Sequence, residues 1–410
     1  MSLKLGFSRL ALVAALACAV GPTALAAPAG PAGKIGATPA PTGPAPVPSS
    51  PIADKATPTP PMLPDMTSYV LMDAKTGAII AEADPHLRVP PASLTKLMTA
   101  HLVYQALHNG SLKMDQIVPV SVAAWHAPGS TMFIDPNSKV TVNDLLHGLL
   151  IDSGNDAAIA LAEQVAGSQD AFVQIMNHTA KKLDLTDTTY TNPTGLPSPD
   201  LRTSAMDVAK LSRVILQDEP QILQIAKQPS YTWDNITQAN WNPVLKVDPT
   251  VDGLKTGLTD ESGHCIDATA KRGNMRLIAV VMGGTTWASS TSAIEALLDY
   301  GQHFFTDAQI ATKGAQLGLL QSSLLQAGSV PVGAQKDIVI TLPKDEAKTI
   351  THSITYTADL TPGVSKGEVL GTITFSAGGQ QLASVPAVAL SNAPKASFFT
   401  KLKRKLGHML

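Results

Sequence analysis

The stretch PASLTKLMTA, Pro91 to Ala100, sets a serine and a lysine three positions apart where a helix should begin. The helix is expected from Ala92, with Leu97, Met98, Leu102 and Val103 on its apolar side and Asn109-Gly110 ending it. Positions i and i+3 share a helix face, so Lys96 can reach the Ser93 hydroxyl. A serine hydroxyl is a weak nucleophile until a base takes its proton. A lysine serves as that base only if burial or a nearby positive charge lowers its pKa. Backbone N–H groups at the start of the helix point to where an oxyanion would form. A Ser-x-x-Lys on a helix is common by itself, and most examples are solvated surface pairs.

Two further motifs raise its meaning. Ser153-Gly154-Asn155 falls where the helical sequence Thr141 to Ala166 is broken at Asp152-Ser153-Gly154-Asn155, so a hydroxyl and an amide are presented from a loop. Lys255-Thr256-Gly257 follows Val251-Asp252-Gly253 in an expected strand. There Lys255 would bring charge, Thr256 a hydroxyl for a substrate carboxylate, and Gly257 a bare edge along which a substrate backbone can lie. The same tripeptide recurs as Lys75-Thr76-Gly77 in the turn of an expected β-hairpin, SYVLMDAKTGAIIAEAD, so it is uninformative alone.

The surrounding pattern suggests one antiparallel sheet assembled from distant parts of the chain. The hairpin at its start and the strands CIDATA and MRLIAVVMGG, joined at Lys271-Arg272-Gly273-Asn274, bracket a helical middle that includes an amphipathic helix from Gln169 to Asp184. After about Thr306 the segments DIVITLP, THSITYTADL and EVLGTITFSAG alternate apolar and polar residues between turns, the mark of a small all-β domain. The chain has 410 residues, 44% hydrophobic and 15% charged, enough to build cores in two or three domains. Its net charge of −2 gives no support to nucleic-acid binding.

The ends read differently. Lys4 and Arg9 precede the apolar run Leu10 to Val20 and the small-residue site Ala24-Leu25-Ala26, which describes an export signal over 1–26 cleaved at Ala26. Cys18 lies within it, so Cys265 would remain as the only cysteine, without a disulfide partner and expected to be buried and inert. Residues 27–64 are rich in Pro, Ala, Gly and Thr and are expected to form a disordered tether. At the other end, a helix over KASFFTKLKRKLGHML would gather Phe398, Phe399, Leu402, Leu406 and Met409 on one side. Lys401, Lys403, Arg404 and Lys405 would lie mostly on the other, a basic amphipathic helix suited to an anionic membrane surface.

In this order and spacing, Ser-x-x-Lys, Ser-Gly-Asn and Lys-Thr-Gly resemble the signature of penicillin-binding proteins and class A β-lactamases. The chain most resembles the low-molecular-mass penicillin-binding proteins that act as serine-type D-alanyl-D-alanine carboxypeptidases. PASLTKLMTA, DSGNDAAIALAE, VDGLKTGLTDESG and MRLIAVVMGG carry that resemblance, with the trailing β domain and the terminal amphipathic helix. It implies an α+β fold: a catalytic domain over 65–306 with a helix-covered antiparallel sheet, a small β-sandwich over 307–393 and an anchor helix over 394–410.

The resemblance also implies roles. Ser93 would be the acyl-enzyme nucleophile, Lys96 its base, Ser153 a proton shuttle and Asn155 a substrate-orienting group. Lys255 and Thr256 would hold the terminal carboxylate beside Gly257, helped by Arg276, with the N–H groups of Ser93 and Leu258 as the oxyanion hole. The substrate would be the D-Ala-D-Ala end of peptidoglycan pentapeptides, cleaved on the periplasmic face of the cytoplasmic membrane, with β-lactams as acylating inhibitors. No metal or cofactor is implied. Two positions depart from the family pattern: Leu258 stands where His is frequent, and Thr191-Asn192-Pro193-Thr194-Gly195-Leu196 lacks a His that some members carry. A β-lactamase would need a deacylating Glu-x-x-Leu-Asn loop, which is not found between Asn155 and Lys255. A D,D-endopeptidase would use the same residues, and a non-catalytic wall-binding module would have no need of them.

Overall fold

The hairpin expected from the sequence becomes the far edge of the catalytic sheet. The computed structural model describes residues 49–53 and 57–407. β1 (Ser68–Asp73) and β2 (Ile79–Ala83) are joined by a turn in which the Asp73 carboxylate accepts the Thr76 N–H at 2.7 Å and the Thr76 hydroxyl at 2.9 Å. A small outlying hairpin, β3 (Ser230–Trp233) and β4 (Ile236–Ala239), precedes the long strands β5 (Val251–Thr259), β6 (Gly263–Arg272) and β7 (Met275–Gly284). The sheet runs β2-β1-β7-β6-β5 and is antiparallel throughout. The first strand of the domain thus pairs with the last, and β5, which carries the Lys-Thr-Gly motif, is left at an edge.

Both faces of the sheet are covered, which is why every residue of β1 is buried. Val70 and Met72 point into one core with the helical middle, and Tyr69 and Leu71 into another beneath a long helix. The helices of the middle are α1 (Lys96–His108), α2 (Val122–Trp125), α3 (Val142–His147), α4 (Asn155–Ala166), α5 (Gln169–Lys182), α6 (Ala205–Asp218) and α7 (Ile222–Ala226). The opposite face is covered by α8 (Trp287–Phe304), which begins at a capping box of Thr286 and Ser289. The helix expected from Ala92 starts as a 3-10 turn over Ala92–Thr95 and becomes α-helical only at Lys96.

The chain then builds an all-β unit. β8 (Phe305–Ala311), β9 (Gln316–Gln321), β10 (Ser329–Ala334), β11 (Ile338–Pro343), β12 (Thr351–Tyr356), β13 (Gly363–Val364), β14 (Val369–Ala377), β15 (Gln380–Ala389) and β16 (Ala393–Pro394) follow α8. Five of these strands form the sheet β12-β14-β15-β10-β9, while β8 pairs with β11. Their inward residues, Val330, Val332, Leu370, Ile373 and Phe375 among them, make a separate core. This unit grips the β1–β2 turn: Thr341 on β11 meets the Thr76 hydroxyl at 2.6 Å and the Asp307 carboxylate at 2.8 Å.

The terminal helix α9 (Phe398–Gly407) leaves Phe398, Phe399 and Leu402 exposed. Arg404, expected on the basic side of the helix, donates to the carbonyls of Ser323, Leu325 and Gln326 and fastens the helix to the β unit. Met409 lies outside the described residues. So do the expected export signal with Cys18, and the expected tether as far as residue 48. The end of that tether is not free in the structure. Ser49 pairs with Glu82 through both backbone groups, and Tyr69 and Tyr300 donate to the carbonyls of Pro61 and Pro58. Ile52 and Leu63 pack on the core beneath α8, so the stretch keeps enough apolar side chains to dock despite its prolines. Among the described residues, no helix is long and apolar enough to cross a membrane.

Candidate active site

The site forms where the start of α1 meets the edge strand β5. Ala92, just before the nucleophile, has φ +47°, a strained conformation at the first residue of the 3-10 turn that carries Ser93. Gly257 lies against this turn. A Cβ there would come within 3.0 Å of the Pro91 carbonyl oxygen and 3.1 Å of the Ser93 nitrogen, so only glycine lets β5 approach so closely. That approach brings Ser93 and Leu258 into the lining of one cleft. Gly195 closes on the other side of the same turn with φ +86°, where a Cβ would meet the Ala92 carbonyl.

Lys96 is 0% exposed. Its Nζ lies 2.9 Å from Ser93 Oγ, 2.7 Å from Asn155 Oδ1 and 2.7 Å from the Thr194 carbonyl. Burial drives its pKa well below the ordinary lysine value, Lys255 adds to the effect, and Asp156 opposes it. Two of these three neighbours can only accept. A neutral amine gives its two hydrogens to Asn155 and Thr194, which aims its lone pair at the Ser93 hydroxyl. The geometry therefore suits a general base.

Lys255 is the second buried lysine, 1% exposed, and its Nζ reaches Ser153 Oγ and the Thr256 carbonyl, each at 3.0 Å. Burial lowers its pKa to about 7 against the pull of Asp152. Ser153 follows a π-helical turn, Gly148–Asp152, and adopts φ +59° before α4 resumes at Asn155. The helix break read from sequence is thus the device that turns Ser153 toward Lys255 and Asn155 toward Lys96. Asn155 is fixed in turn by donating to the Pro128 carbonyl at 2.6 Å.

Several groups here left little trace in the sequence. Ser130 donates to the Ser153 carbonyl at 2.7 Å and accepts the Asn155 N–H on its own carbonyl at 2.7 Å. Asp156 holds the same loop by accepting the N–H groups of Met132 and Ile134. Burial, with the charge of Asp156, pushes Asp152 up to about 7 although Lys255 opposes this. The cleft, about 370 Å³, is lined by Ser93, Gly129, Ser130, Ser153, Thr256, Gly257 and Leu258, with Trp241 and Trp287 as its aromatic walls. Only short range explains why these were missed. Pro-Gly-Ser and Asn-Trp-Asn read as ordinary loop sequence until the fold brings them to the nucleophile.

Arg276, expected beside the carboxylate site, is not brought into the cleft. It sits opposite Lys271, near the β6–β7 turn, and its guanidinium is held by both Asp252 carboxylate oxygens, at 2.8 and 2.9 Å, and by Thr269 Oγ1 at 3.0 Å. The expectation placed it on the strand neighbouring the Lys-Thr-Gly strand, but Arg276 lies on β7, with β6 between it and β5. Cys265 is buried, and burial raises its thiol pKa to about 11, so it is no nucleophile. Among the described residues, no group of three or more His, Cys, Asp or Glu could hold a metal.

Residues 55–286 match the family model for D-alanyl-D-alanine carboxypeptidase, and residues 305–395 match that for the penicillin-binding protein 5 C-terminal domain. The chain is 36% identical over 353 residues to D-alanyl-D-alanine carboxypeptidase DacC of Escherichia coli (strain K12), covering 82% of this chain and 86% of that protein. Penicillin binding protein 5 from Haemophilus influenzae superposes with a TM-score of 0.75 at 34% identity, over 82% of this chain and 99% of that one. Penicillin-binding protein D2 from Listeria monocytogenes, solved in a cefotaxime-bound form, gives a TM-score of 0.53 at 30% identity over 58% of this chain and 96% of its own. With a serine hydroxyl set against a buried lysine at its centre and these relatives over most of its length, the chain belongs to the serine-type D-alanyl-D-alanine carboxypeptidase family.

Proposed function

We propose that the chain removes the terminal D-alanine of peptidoglycan stem peptides through an acyl-enzyme on Ser93. The observation that carries this reading is the wholly buried Lys96, held 2.9 Å from Ser93 Oγ with acceptors at Asn155 and Thr194 for the two hydrogens of its neutral amine. The neutral Lys96 amine takes the Ser93 proton as Oγ attacks the carbonyl of the penultimate D-alanine. The oxyanion is received by the N–H groups of Ser93 and Leu258. Ser153 gives its proton to the departing amine and recovers one from Lys255, its 3.0 Å neighbour; the proton that Lys96 took from Ser93 passes through solvent to Lys255, which restores the neutral Lys96 amine and the Lys255 cation before deacylation. Water then attacks the ester with Lys96 as base, releasing the shortened peptide and Ser93. Lys255 and the Thr256 hydroxyl hold the substrate carboxylate, and Asn155 its amide. Loss of the terminal D-alanine removes the donor group needed for crosslinking.

β-Lactams mimic the D-Ala-D-Ala end and enter the same acylation, in keeping with the cefotaxime-bound relative. Incubation with a fluorescent penicillin tests the assignment: the label is expected on Ser93, and Ser93→Ala should remove both label and turnover. Label retained by that variant would overturn it.

The reading extends to location. An exported chain held at the periplasmic face of the membrane by α9 would keep the cleft near the wall, with the β unit as spacer. The exposed Phe398, Phe399 and Leu402 support this. Truncation before Lys395 should abolish sedimentation with anionic vesicles while hydrolysis of small peptides persists. Continued sedimentation would exclude α9 as the anchor.

A further inference from the structure

Two carboxylates flank the loop that carries the chemistry, Asp152 before Ser153-Gly154-Asn155 and Asp156 after it. Each is 1% exposed. Asp156 is committed to the fold: its oxygens accept the N–H groups of Met132 at 3.0 Å and Ala157 at 2.8 Å. Asp152 is not. Its Oδ1 is buried and meets no hydrogen-bond donor among the described residues. An ionised carboxylate held this way is costly unless a cation answers it. Lys255 answers Asp152. Its Nζ lies 3.0 Å from the hydroxyl of Ser153, the residue next to Asp152 at the end of the π-helical turn. Burial moves both groups to about 7, and each opposes the other's shift.

The other titratable groups around the pair have partners or roles of their own. From α4, Asp156 pushes Asp152 toward its neutral form. From α1, Lys96 feels the Lys255 charge. From β3, Tyr231 feels the Asp152 charge, but its hydroxyl donates to Asp144 of α3 at 2.8 Å, and His147 of α3 stacks on its ring. From β6, Asp267 stands opposite Lys255 in register and accepts the Ser212 hydroxyl at 2.5 Å. α7 and β4 bring no titratable side chain. We propose that Asp152 is a positioning residue for the reaction: its carboxylate holds the proton on Lys255 and so keeps Ser153 supplied with the hydrogen that the leaving amine takes. Asp152 stands outside the cleft lining and acts through Lys255. The inference rests on the acyl-enzyme reading of Ser93.

The rate at which a fluorescent penicillin labels Ser93 in the full chain is followed by stopped flow from about pH 5 to about pH 9. Labelling should fall on the alkaline side as Lys255 gives up its proton. Asp152→Asn and Asp152→Gln remove the charge and keep a polar side chain, so Lys255 should lose its proton at lower pH. Their falling limb is expected about one pH unit below the parental one, with labelling near the parental rate at about pH 5.5 and about tenfold slower at about pH 8.5. Asp152→Glu should return the limb to its parental position. Two neutral variants keep the test intact if one of them folds poorly, which a thermal melt shows. A limb that stays at the parental pH in the neutral variants, or a loss equal at every pH, would overturn the assignment. Absence of Ser93 labelling in the unmutated chain would instead overturn the acyl-enzyme reading.

Discussion

The chain contains Lys-Thr-Gly twice, and the two copies share nothing but their letters. Lys75-Thr76-Gly77 lies in the β1–β2 turn, where Lys75 is exposed, Thr76 closes a turn on Asp73, and Gly77 takes φ +78°. Lys255-Thr256-Gly257 lies in the edge strand β5, where Lys255 is buried against Ser153, Thr256 lines the cleft, and Gly257 presses on the backbone of Ser93. In the turn the glycine serves a left-handed backbone angle, while in the strand it serves close approach. In the turn the lysine stands exposed to solvent; in the strand desolvation makes it a proton donor near neutrality. The motif acquires chemistry only from what is packed against it.

Paired substitutions put this contrast to the test. The largest effect is expected at the lysines. Lys255→Ala should lower kcat/KM on a D-Ala-D-Ala peptide by about 10²–10⁴-fold, the usual range for a lost acid–base group. Lys75→Ala should leave it unchanged. Comparable losses at both positions would erase the distinction drawn here. Next come the glycines. Gly257→Ala should slow penicillin acylation by at least about tenfold, because the added carbon forces β5 away from the Ser93 N–H and spoils the oxyanion hole. Gly77→Ala should cost about 1 kcal/mol of stability for its positive φ and spare acylation. Thermal melts and stopped-flow labelling separate the two.

The smallest effect belongs to the turn's contact with the β unit. Burial and the neighbouring Asp73 charge raise the Asp307 pKa to about 6, while Thr341 and Lys75 oppose the shift. A raised carboxyl is protonated more readily in the fold than in the unfolded chain. Its contribution is therefore complete below about pH 4 and is lost as pH climbs through about 6. Asp307→Asn, which resembles the protonated acid, should be more stable than the parent at pH 8, by about 1 kcal/mol, and should show no advantage at pH 4. Denaturant melts at the two pH values measure it, and an identical difference at both would remove Asp307 from the titration.

Much of this was legible in the sequence, for a physical reason. The β1–β2 hairpin, the helix break at Ser153 and the strand bearing Lys255 are written in short-range terms: period, turn chemistry and punctuation. Ser93 and Lys96 needed only the helical repeat to be paired. What stayed hidden depends on distant segments. Nothing near Trp241 reveals that it lines the cleft with Trp287, nor anything near Ser130 that it braces Ser153. Arg276 shows the converse. Its strand was evident, but the register that sets it against Lys271 and gives it to Asp252 is fixed by pairing along the whole of β6 and β7.

The row of oxygens joining Asp73, Thr76, Thr341 and Asp307 has a consequence in simple counting. Three short contacts link four side chains, at 2.9, 2.6 and 2.8 Å. Each contact needs a hydrogen, and the two threonine hydroxyls bring only two. With both carboxylates ionised, one pair of oxygens would face each other bare. A hydrogen on Asp307 completes the row: Asp307 donates to Thr341, Thr341 to Thr76, and Thr76 to the Asp73 carboxylate, which also receives the Thr76 N–H. The seam between the catalytic sheet and the β unit is then polarised along one direction, and it closes fully only while it holds a single extra proton.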